Sequence, residues 1–378
     1  MKLFPLAPLV LATLVGAGAA DPRNFNHGRL IPDEGYCDQP YVVITRDGNW
    51  LCTMTTGAGR EGAGRQHVVA TISSDQGRTW SPLIDIEPAD GPAASWVVPV
   101  LSAGGRIYAL YNYDGDRVTV PDFQHTTQRR TDTLGWYTFK FSDDHGRTWS
   151  KERHRLPMPV AAVDRGNEWQ GAVQLFWGID KPVVVGGDVI FGCTRLGGYF
   201  QEKGEGWFYR SDNLLTERDP AKIRWRLLPE TEHGLRVEAF GSTQEEHNVV
   251  PLANGDLYCI YRTRTGRPVQ AYSRDGGRTW STPEFATYTP GGRIIVHTRA
   301  CPSVWRTAGG RFLFWFHNNS YEKAPSNAPL LRSGCRGSQT WPARTAVSRW
   351  IFGSHSTSSA RDRFCSIRAS GPPATALS

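Results

Sequence analysis

Three stretches of this chain are near copies of one another: SSDQGRTWS at 73–81, SDDHGRTWS at 142–150 and SRDGGRTWS at 273–281. They share Ser-x-Asp-x-Gly-x-Thr-Trp. Their first serines are Ser73, Ser142 and Ser273, so the second interval is close to twice the first. Midway through the longer gap stands YRSDNLLTERDPAKIRWRLLP, whose Ser211 falls one such interval beyond Ser142. It reads as a decayed, lengthened copy in which Trp225 replaces the expected Trp. GSQTWP is a fifth remnant, its Trp341 following Trp280 at a similar spacing. A recurrence this regular, met four or five times, means that one supersecondary unit is built repeatedly.

The phrase has a mechanical reading. An Asp in a tight turn accepts backbone N–H bonds from residues further along, and Gly takes a positive φ at little cost. Thr and Trp then open the next strand, where a large indole fills the space between neighbouring sheets. Strand-like runs precede each copy: HVVATIS, GWYTFKFS and PVQAYS. With 14 Trp, 13 Tyr, 16 Phe, 40 Gly and 25 Pro, the chain suits short aromatic strands joined by many turns, and long helical runs are hard to find. The expected unit is a hairpin within a small antiparallel sheet of about four strands. Such units arranged radially make a β-propeller.

These phrases are similar to Asp-box (bacterial neuraminidase) repeats, and the chain resembles the sialidase superfamily. The resemblance implies an all-β, six-bladed propeller, with Asp75, Asp144 and Asp275 as structural residues of the turns. It also implies a glycoside hydrolase site of three Arg around a substrate carboxylate, an Asp acid/base, and a Tyr nucleophile activated by a Glu. Three guanidinium forks fix the orientation of a carboxylate through paired charged hydrogen bonds.

The best match is EEHNVVPLANGDLYCIYRTRTGRPVQAYSRDGGRTW, which resembles the family's Glu-x-x-Val-Val-x-Leu, Asp-Gly-x-Leu, Arg and Asp-box in series. In that register Glu246 matches the nucleophile-activating Glu and Arg262 the second carboxylate-binding Arg, with Glu245 and His247 beside them. The N-terminal match departs from the family. Its Arg-Ile-Pro corresponds to Asp38-Gln39-Pro40, unless GRLIP at Arg29 supplies the Arg in a shifted register. The loop expected to carry the acid/base Asp reads GAGREGAGRQHV, so Arg60, Glu61, Gln66 and His67 are its polar candidates. Glu61 is either an acid or part of an ordinary exposed Gly-rich loop. An Asp where a carboxylate-gripping Arg belongs repels a sialic acid, which points to a neutral or differently charged sugar.

Other stretches offer a glycan pocket or inter-blade packing: Trp96 in SWVVP, Glu168, Trp177 and Lys181 in EWQGAVQLFWGIDKP, and His297 and Arg299 in VHTRACPS. The candidate roles are then catalytic for Glu246, Arg262, Asp38 and Glu61, and substrate-binding for His67, Trp96, Trp177, His247 and Arg299. The expected activity is hydrolysis of a terminal sugar on a glycan. A non-catalytic glycan-binding propeller is the alternative, and a polysaccharide lyase using His247 near Arg262 a third. No cofactor is expected and no metal cluster is visible, although a structural calcium would leave no trace in sequence.

The ends differ from the body. Lys2, an apolar stretch from Leu3 to Val15 and small residues to Ala20 read as a signal peptide over 1–20, so the protein is expected to be secreted or periplasmic, with no membrane span. The propeller is assigned to 21–324. Residues 325–378 hold eleven Ser, no Tyr, and seven Arg against a single acid, Asp362. Most of the formal charge of +7 sits there, leaving a near-neutral body for which nucleic acid is not an expected partner. The family's third Arg and its Tyr fall in this stretch, where Arg332 is the only nearby Arg and Tyr321 comes too early. The reading is an aberrant, frameshifted ending that leaves the last blades incomplete. The seven Cys follow no C-x-x-C spacing; Cys52 and Cys259 read as core residues, and no disulfide is assigned.

Overall fold

The computed structural model describes residues 29–121, 130–199, 202–307 and 309–318, and the backbone of 349–352. The expected signal peptide, Tyr321, Arg332, Trp341, Cys335, Cys365 and nearly all of the aberrant stretch 325–378 lie outside the described residues.

Among the described residues the chain is all-β apart from one four-residue helix, α1 (Ala162–Arg165), and two 3-10 turns. Four antiparallel sheets follow one another. The first holds β1 (Tyr36–Ile44), β2 (Trp50–Gly57), β3 (His67–Ser73) and β4 (Ile84–Asp85). The second holds β5 (Ala94–Leu101), β6 (Ile107–Tyr113), β7 (Trp136–Ser142) and β8 (His154–Arg155). In the third, the inner strand is broken into β9 (Leu175–Trp177) and β10 (Val183–Val185), both paired to β11 (Asp188–Gly198), followed by β12 (Glu202–Ser211) and β13 (Arg226–Leu228). The fourth holds β14 (Gln244–Pro251), β15 (Leu257–Thr263), β16 (Val269–Ser273) and β17 (Glu284–Phe285). A further sheet joins β18 (Ser303–Arg306), β19 (Phe312–Trp315) and β20 (Arg349–Phe352), with β20 parallel to β19. The arrangement is propeller-like, with four blades formed.

Packing against neighbouring blades makes the middle strands lose polar alternation and bury nearly every residue, as β2 and β6 do. One apolar cluster joins the first two blades through Leu51, Val68, Ile107 and Tyr111. Another joins the second and third through Tyr108, Phe139, Phe191 and Tyr209, and a third joins the third and fourth through Ile190, Phe208, Val249 and Tyr261. The outermost strands are very short, which leaves little open edge.

The repeated phrase closes the same hairpin in three blades. In the first, Asp75 Oδ1 accepts from Thr79 N (2.8 Å) and Oδ2 from Thr79 Oγ1 (2.6 Å), while Ser73 Oγ donates to Oδ1 (2.8 Å) and accepts from Gly77 N (2.7 Å). Asp144 and Asp275 make the same bonds with Thr148 and Thr279. Gly146, at φ +87°, must be Gly: a Cβ there would lie 2.5 Å from Leu51 of the preceding blade. Ser211 occupies the corresponding strand end in the third blade, with Asn213 at the Asp position and Ser211 Oγ accepting from Leu214 N (3.1 Å). The indoles pack backwards onto the preceding blade: Trp149 on the first, Trp225 on the second, and Trp280 at 4.4 Å from Phe208 of the third.

Hydrogen bonds also step from blade to blade near the axis. Trp96 N donates to Thr55 Oγ1 (2.9 Å), Asn112 Nδ2 to Phe176 O (2.9 Å), Glu246 N to Thr194 Oγ1 (2.9 Å) and Val304 N to Asn248 Oδ1 (2.8 Å). The first and third blades meet across the axis, where Lys181 Nζ donates to Val42 O (2.8 Å) and Tyr41 Oη to Ile179 O. Asp180 accepts from Gly192 N, Val249 N and Asn248 Nδ2 in the same buried network. Lys181, a pocket candidate in the sequence, is thus part of the axial packing.

Candidate active site

Three inner strands carry the same irregularity. In β1, β5 and β14, two residues stand opposite one on the partner strand: Gln39-Pro40, Trp96-Val97 and Glu246-His247. The first residue of each pair is left-handed, with φ +51°, +63° and +58° for Gln39, Trp96 and Glu246. Such a bulge bends a strand and re-aims a side chain, at a strain cost that ordinary packing does not require. Immediately before each bulge stand Asp38, Ser95 and Glu245.

Around these bulges the chain assembles carboxylates and guanidiniums from residues far apart in sequence. Arg262, at the end of β15, donates through Nε and Nη2 to Glu245 Oε2 (3.0 and 2.9 Å) and pairs through Nη1 with Glu246 Oε1 (2.8 Å). Arg299, from the segment before β18, adds a second ion pair to Glu245 at 3.2 Å. Glu245 is fully buried, so its charge is compensated from two sides. Arg130 grips Asp132 through Nε (2.9 Å) and Nη2, and reaches Glu61 Oε1 at 2.7 Å. Gly62, at φ +76°, permits that approach, since a Cβ there would sit 2.7 Å from Arg130 Cγ. Gln66 braces the same loop, accepting from Gly62 N (3.1 Å) and donating to Arg60 O (2.8 Å).

The charges feel one another. Burial pushes the Glu246 carboxyl up to about 7; Arg262 opposes this, and the charges of Glu245, Asp38 and Glu61 add to it. Burial likewise pushes Asp38 up to about 7, with Glu61 and Asp132 contributing and the Tyr36 hydroxyl and Gln39 backbone N–H opposing. Asp38, Glu61, Glu246 and Arg262, which come from opposite ends of the described chain, are therefore brought to one mouth. Tyr36 Oη donates to Asp38 Oδ2 at 2.9 Å, and burial and the neighbouring carboxylates drive its own ionisation far upward. Tyr36 is a neutral hydrogen-bond donor to Asp38.

The remaining candidates divide. Trp177 lies below the mouth, 2 % exposed, with Arg262 and Arg130 guanidiniums 5.5 and 5.9 Å from its ring, and Trp96 at 5.8 Å. Trp96 is buried as well, and its Nε1 donates to Asp132 O (2.6 Å). With no open face for a sugar, Trp177 supports the guanidiniums and Trp96 packs against Trp177. His67 is spent on Glu34 Oε2 and Glu87 O, both at 2.8 Å. His247 points away from Arg262 into the core between blades, 3.2 Å from Thr194 Oγ1 and stacked at 4.4 Å on Tyr261, and burial lowers its pKa to about 3. The lyase reading that relied on it is corrected: the bulge turns Glu246 and His247 to different sides. His297 is held by Ala300 O (2.6 Å) and His317 N (3.1 Å), and Glu168 accepts from Tyr199 N (2.8 Å).

Arg130, Asp132 and Tyr36 were not among the residues singled out from the sequence. Their only signal is a charged run, RRTD, ahead of β7 and a Tyr two positions before Asp38. Two surface cavities, of about 340 and 500 Å³, lie beside the outer turns, the first lined by Arg210, Asp275 and Arg278 and the second by His154, Arg155 and Trp225. Among the described residues no group of three or more His, Cys, Asp and Glu side chains is placed to hold a metal ion, and no helix is long and apolar enough to cross a membrane. The five described cysteines, Cys37, Cys52, Cys193, Cys259 and Cys301, are unbridged.

Comparison with known families finds the BNR/Asp-box repeat at residues 140–151 and 271–282. The chain carries BNR/Asp-box repeats on a propeller-like fold. The turn at 73–81 has the same bonding although the family match does not reach it. No curated protein matches the sequence. Among solved structures, a protein of unknown function from Dyadobacter fermentans superposes with a TM-score of 0.57 at 14% identity, over 75% of this chain and 76% of that one. The NanB sialidase of Streptococcus pneumoniae gives 0.49 at 14% identity over 73% of this chain and 56% of its own. A Trypanosoma rangeli sialidase gives 0.49 at 15% identity over 75% of this chain and 43% of its own. The chain thus spans about half the length of those sialidases.

Proposed function

We propose that the protein is an exo-acting glycoside hydrolase on a six-bladed, sialidase-like propeller, exported by a signal peptide over 1–20 and acting on a neutral terminal sugar. The observation that carries this is the pair Asp38 and Glu246, two carboxyl groups in one mouth that are both pushed up to about 7. Near neutral pH such groups exist in both protonation states, which is what general acid–base catalysis requires. In this reading Asp38 protonates the leaving oxygen, Glu246 draws a proton from the attacking water, and Arg262 orients Glu246 through its 2.8 Å ion pair. Glu61, held by Arg130, tunes Asp38 through its charge.

A neutral sugar is favoured because the guanidiniums of Arg130, Arg262 and Arg299 are each engaged by carboxylates of the mouth. A substrate carboxylate would meet acids there before it met a cation. Release of fluorophore from aryl glycosides of neutral hexoses, fucose, N-acetylhexosamines and sialic acid tests the reading. Cleavage of a neutral glycoside, lost in Glu246→Gln, is the expected result; cleavage of the sialoside alone would overturn the substrate class. A non-catalytic glycan-binding propeller is the second reading. It is favoured by Tyr36, a mouth tyrosine whose ionisation burial drives far upward.

A further inference from the structure

We infer that the cleft between the outer edges of the second and third blades is a second ligand site, one that takes an anionic sugar with its charged group on Arg155 and His154. The cleft is an open surface cavity of about 500 Å³, which is the size of a small-ligand site. One wall comes from β8 and its flank, with Arg153, His154 and Arg155; the other comes from the lengthened turn of the third blade, with Ala221, Ile223 and Trp225. No Asp or Glu lines it among the described residues. Arg155 is exposed, lies 4.3 Å over the Trp136 ring and has no carboxylate partner among the described residues. The half-buried His154 ring stacks on Phe139 at 5.0 Å, and its nitrogens are open to solvent and bond to nothing among the described residues. Arg153 gives Nε and Nη2 to Glu87, which fixes the guanidinium and takes up its charge. The uncompensated charge is that of Arg155, which a single anionic group matches. The acids acting on His154, Glu152 and Asp219, are both exposed, and Asp219 is spent on Ala221 N (3.0 Å) and Lys222 (3.4 Å).

A second, independent observation concerns the wall on the third blade, where the repeated phrase departs from its copies. Asn213 stands at the position that Asp75, Asp144 and Asp275 fill elsewhere. It accepts from Arg224 N (2.9 Å) and donates through Nδ2 to Lys222 O (2.9 Å). An ionised Asp has no N–H to give and could not make the second bond. Asp219 caps the 3-10 turn Pro220–Lys222 within the same insertion. The insertion is moored to the second blade, since Tyr108 Oη donates to Glu217 O (3.1 Å) and Arg106 Nη1 to Arg218 O (2.5 Å). The extra residues are thus braced across the gap between blades and hold the cleft open at a fixed width. A sugar ring sets its apolar face against Ile223 and Trp225 while its charged group reaches Arg155.

The test follows His154 itself. Full-length protein with isotope-labelled histidine is titrated with methyl glucuronide, a sulfated N-acetylglucosamine, a glucose phosphate, methyl glucoside and sodium acetate, and the imidazole signal missing from His154→Gln is observed by NMR. At least one of the three anionic sugars should move that signal saturably, and methyl glucoside should not. The sugar that binds most tightly shows whether the anionic group is carboxylate, sulfate or phosphate. Arg155→Gln should weaken the binding about tenfold or more. Ala221→Trp, at an exposed position, fills the cleft and should abolish it. Melting temperatures show that each variant folds; if Arg155→Gln does not, Ala221→Trp carries the test. A His154 signal unmoved by every anionic sugar overturns the site, as does unchanged affinity in a folded variant. Acetate binding as tightly as the sugars overturns sugar recognition and leaves an adventitious ion only. The inference stands apart from the hydrolase reading: absence of glycoside cleavage would remove that reading and leave this one, and an unmoved His154 would do the reverse.

Discussion

Asp75, in an outer turn, is held down to about 2 by the side chain and backbone N–H of Thr79, whereas Asp38, at the mouth, is pushed up to about 7 by burial and by Glu61. The same carboxyl group is set to opposite purposes. In the turn its donors lie four positions away and are delivered by the hairpin whatever the rest of the chain does. At the mouth its surroundings are assembled from several blades, and burial and like charge outweigh the donors. A carboxylate that is fully hydrogen-bonded stabilises a fold; one that is crowded and dry stores a proton for chemistry.

The contrast between turn and mouth should show most strongly at Arg262. Arg262→Ala leaves Glu245 buried with one of its two cations gone, which costs about 3–5 kcal/mol by the measure of broken buried pairs. Urea denaturation should show the loss, and an unchanged midpoint would mean that the mouth is not held by its ion pairs. Next comes pH. Glu246 is raised from 4.5 to about 7, so the folded state binds more protons than the unfolded state in between, and stability falls as pH rises through that window. Asp38, raised from 3.8 to about 7, acts in the same direction. Glu246→Gln should remove its share, gaining on the order of 3 kcal/mol over wild type at pH 8 relative to pH 4. Parallel stability profiles for the two proteins would contradict a raised Glu246.

The outer turns should give smaller effects of opposite character. Gly146→Ala puts a Cβ against Leu51 at a positive φ and should cost about 1–3 kcal/mol through strain and overpacking, with sugar binding intact. Asp275→Ala removes two hydrogen bonds from Thr279 and should cost about 1–2 kcal/mol, again without touching the mouth. Asp75, lowered from 3.8 to about 2, contributes stability present above its unfolded pKa and lost as pH falls toward 2, the reverse of Asp38. A loss of glycoside binding in either turn variant would show that turns and mouth are coupled.

The sequence carried the turns in full, since Ser, Asp, Gly, Thr and Trp at fixed short spacing encode bonds made within one hairpin. It also carried the repetition of the unit, the degenerate copy at Ser211, and the use of the indoles between blades. Glu246, Arg262, Asp38 and Glu61 were legible as candidates because each sits beside a recognisable strand or loop. Arg130 was not, because nothing local distinguishes it from the Arg beside it, and only the close approach of Gly62 brings it to Glu61. His247 was misread for a related reason: at the bulge in β14, side chains one position apart face either mouth or core, and only the bulge and the blade contacts decide which.

What the chain order determined by itself is therefore local: hairpins whose bonds close over a few positions, and the indoles that begin the strands after them. What only the tertiary structure decided is the state of the charges. Dehydration and repulsion at Asp38 and Glu246 depend on acids and guanidiniums from separate blades arriving at one place, and such fields come from distances in space, not from spacing along the chain.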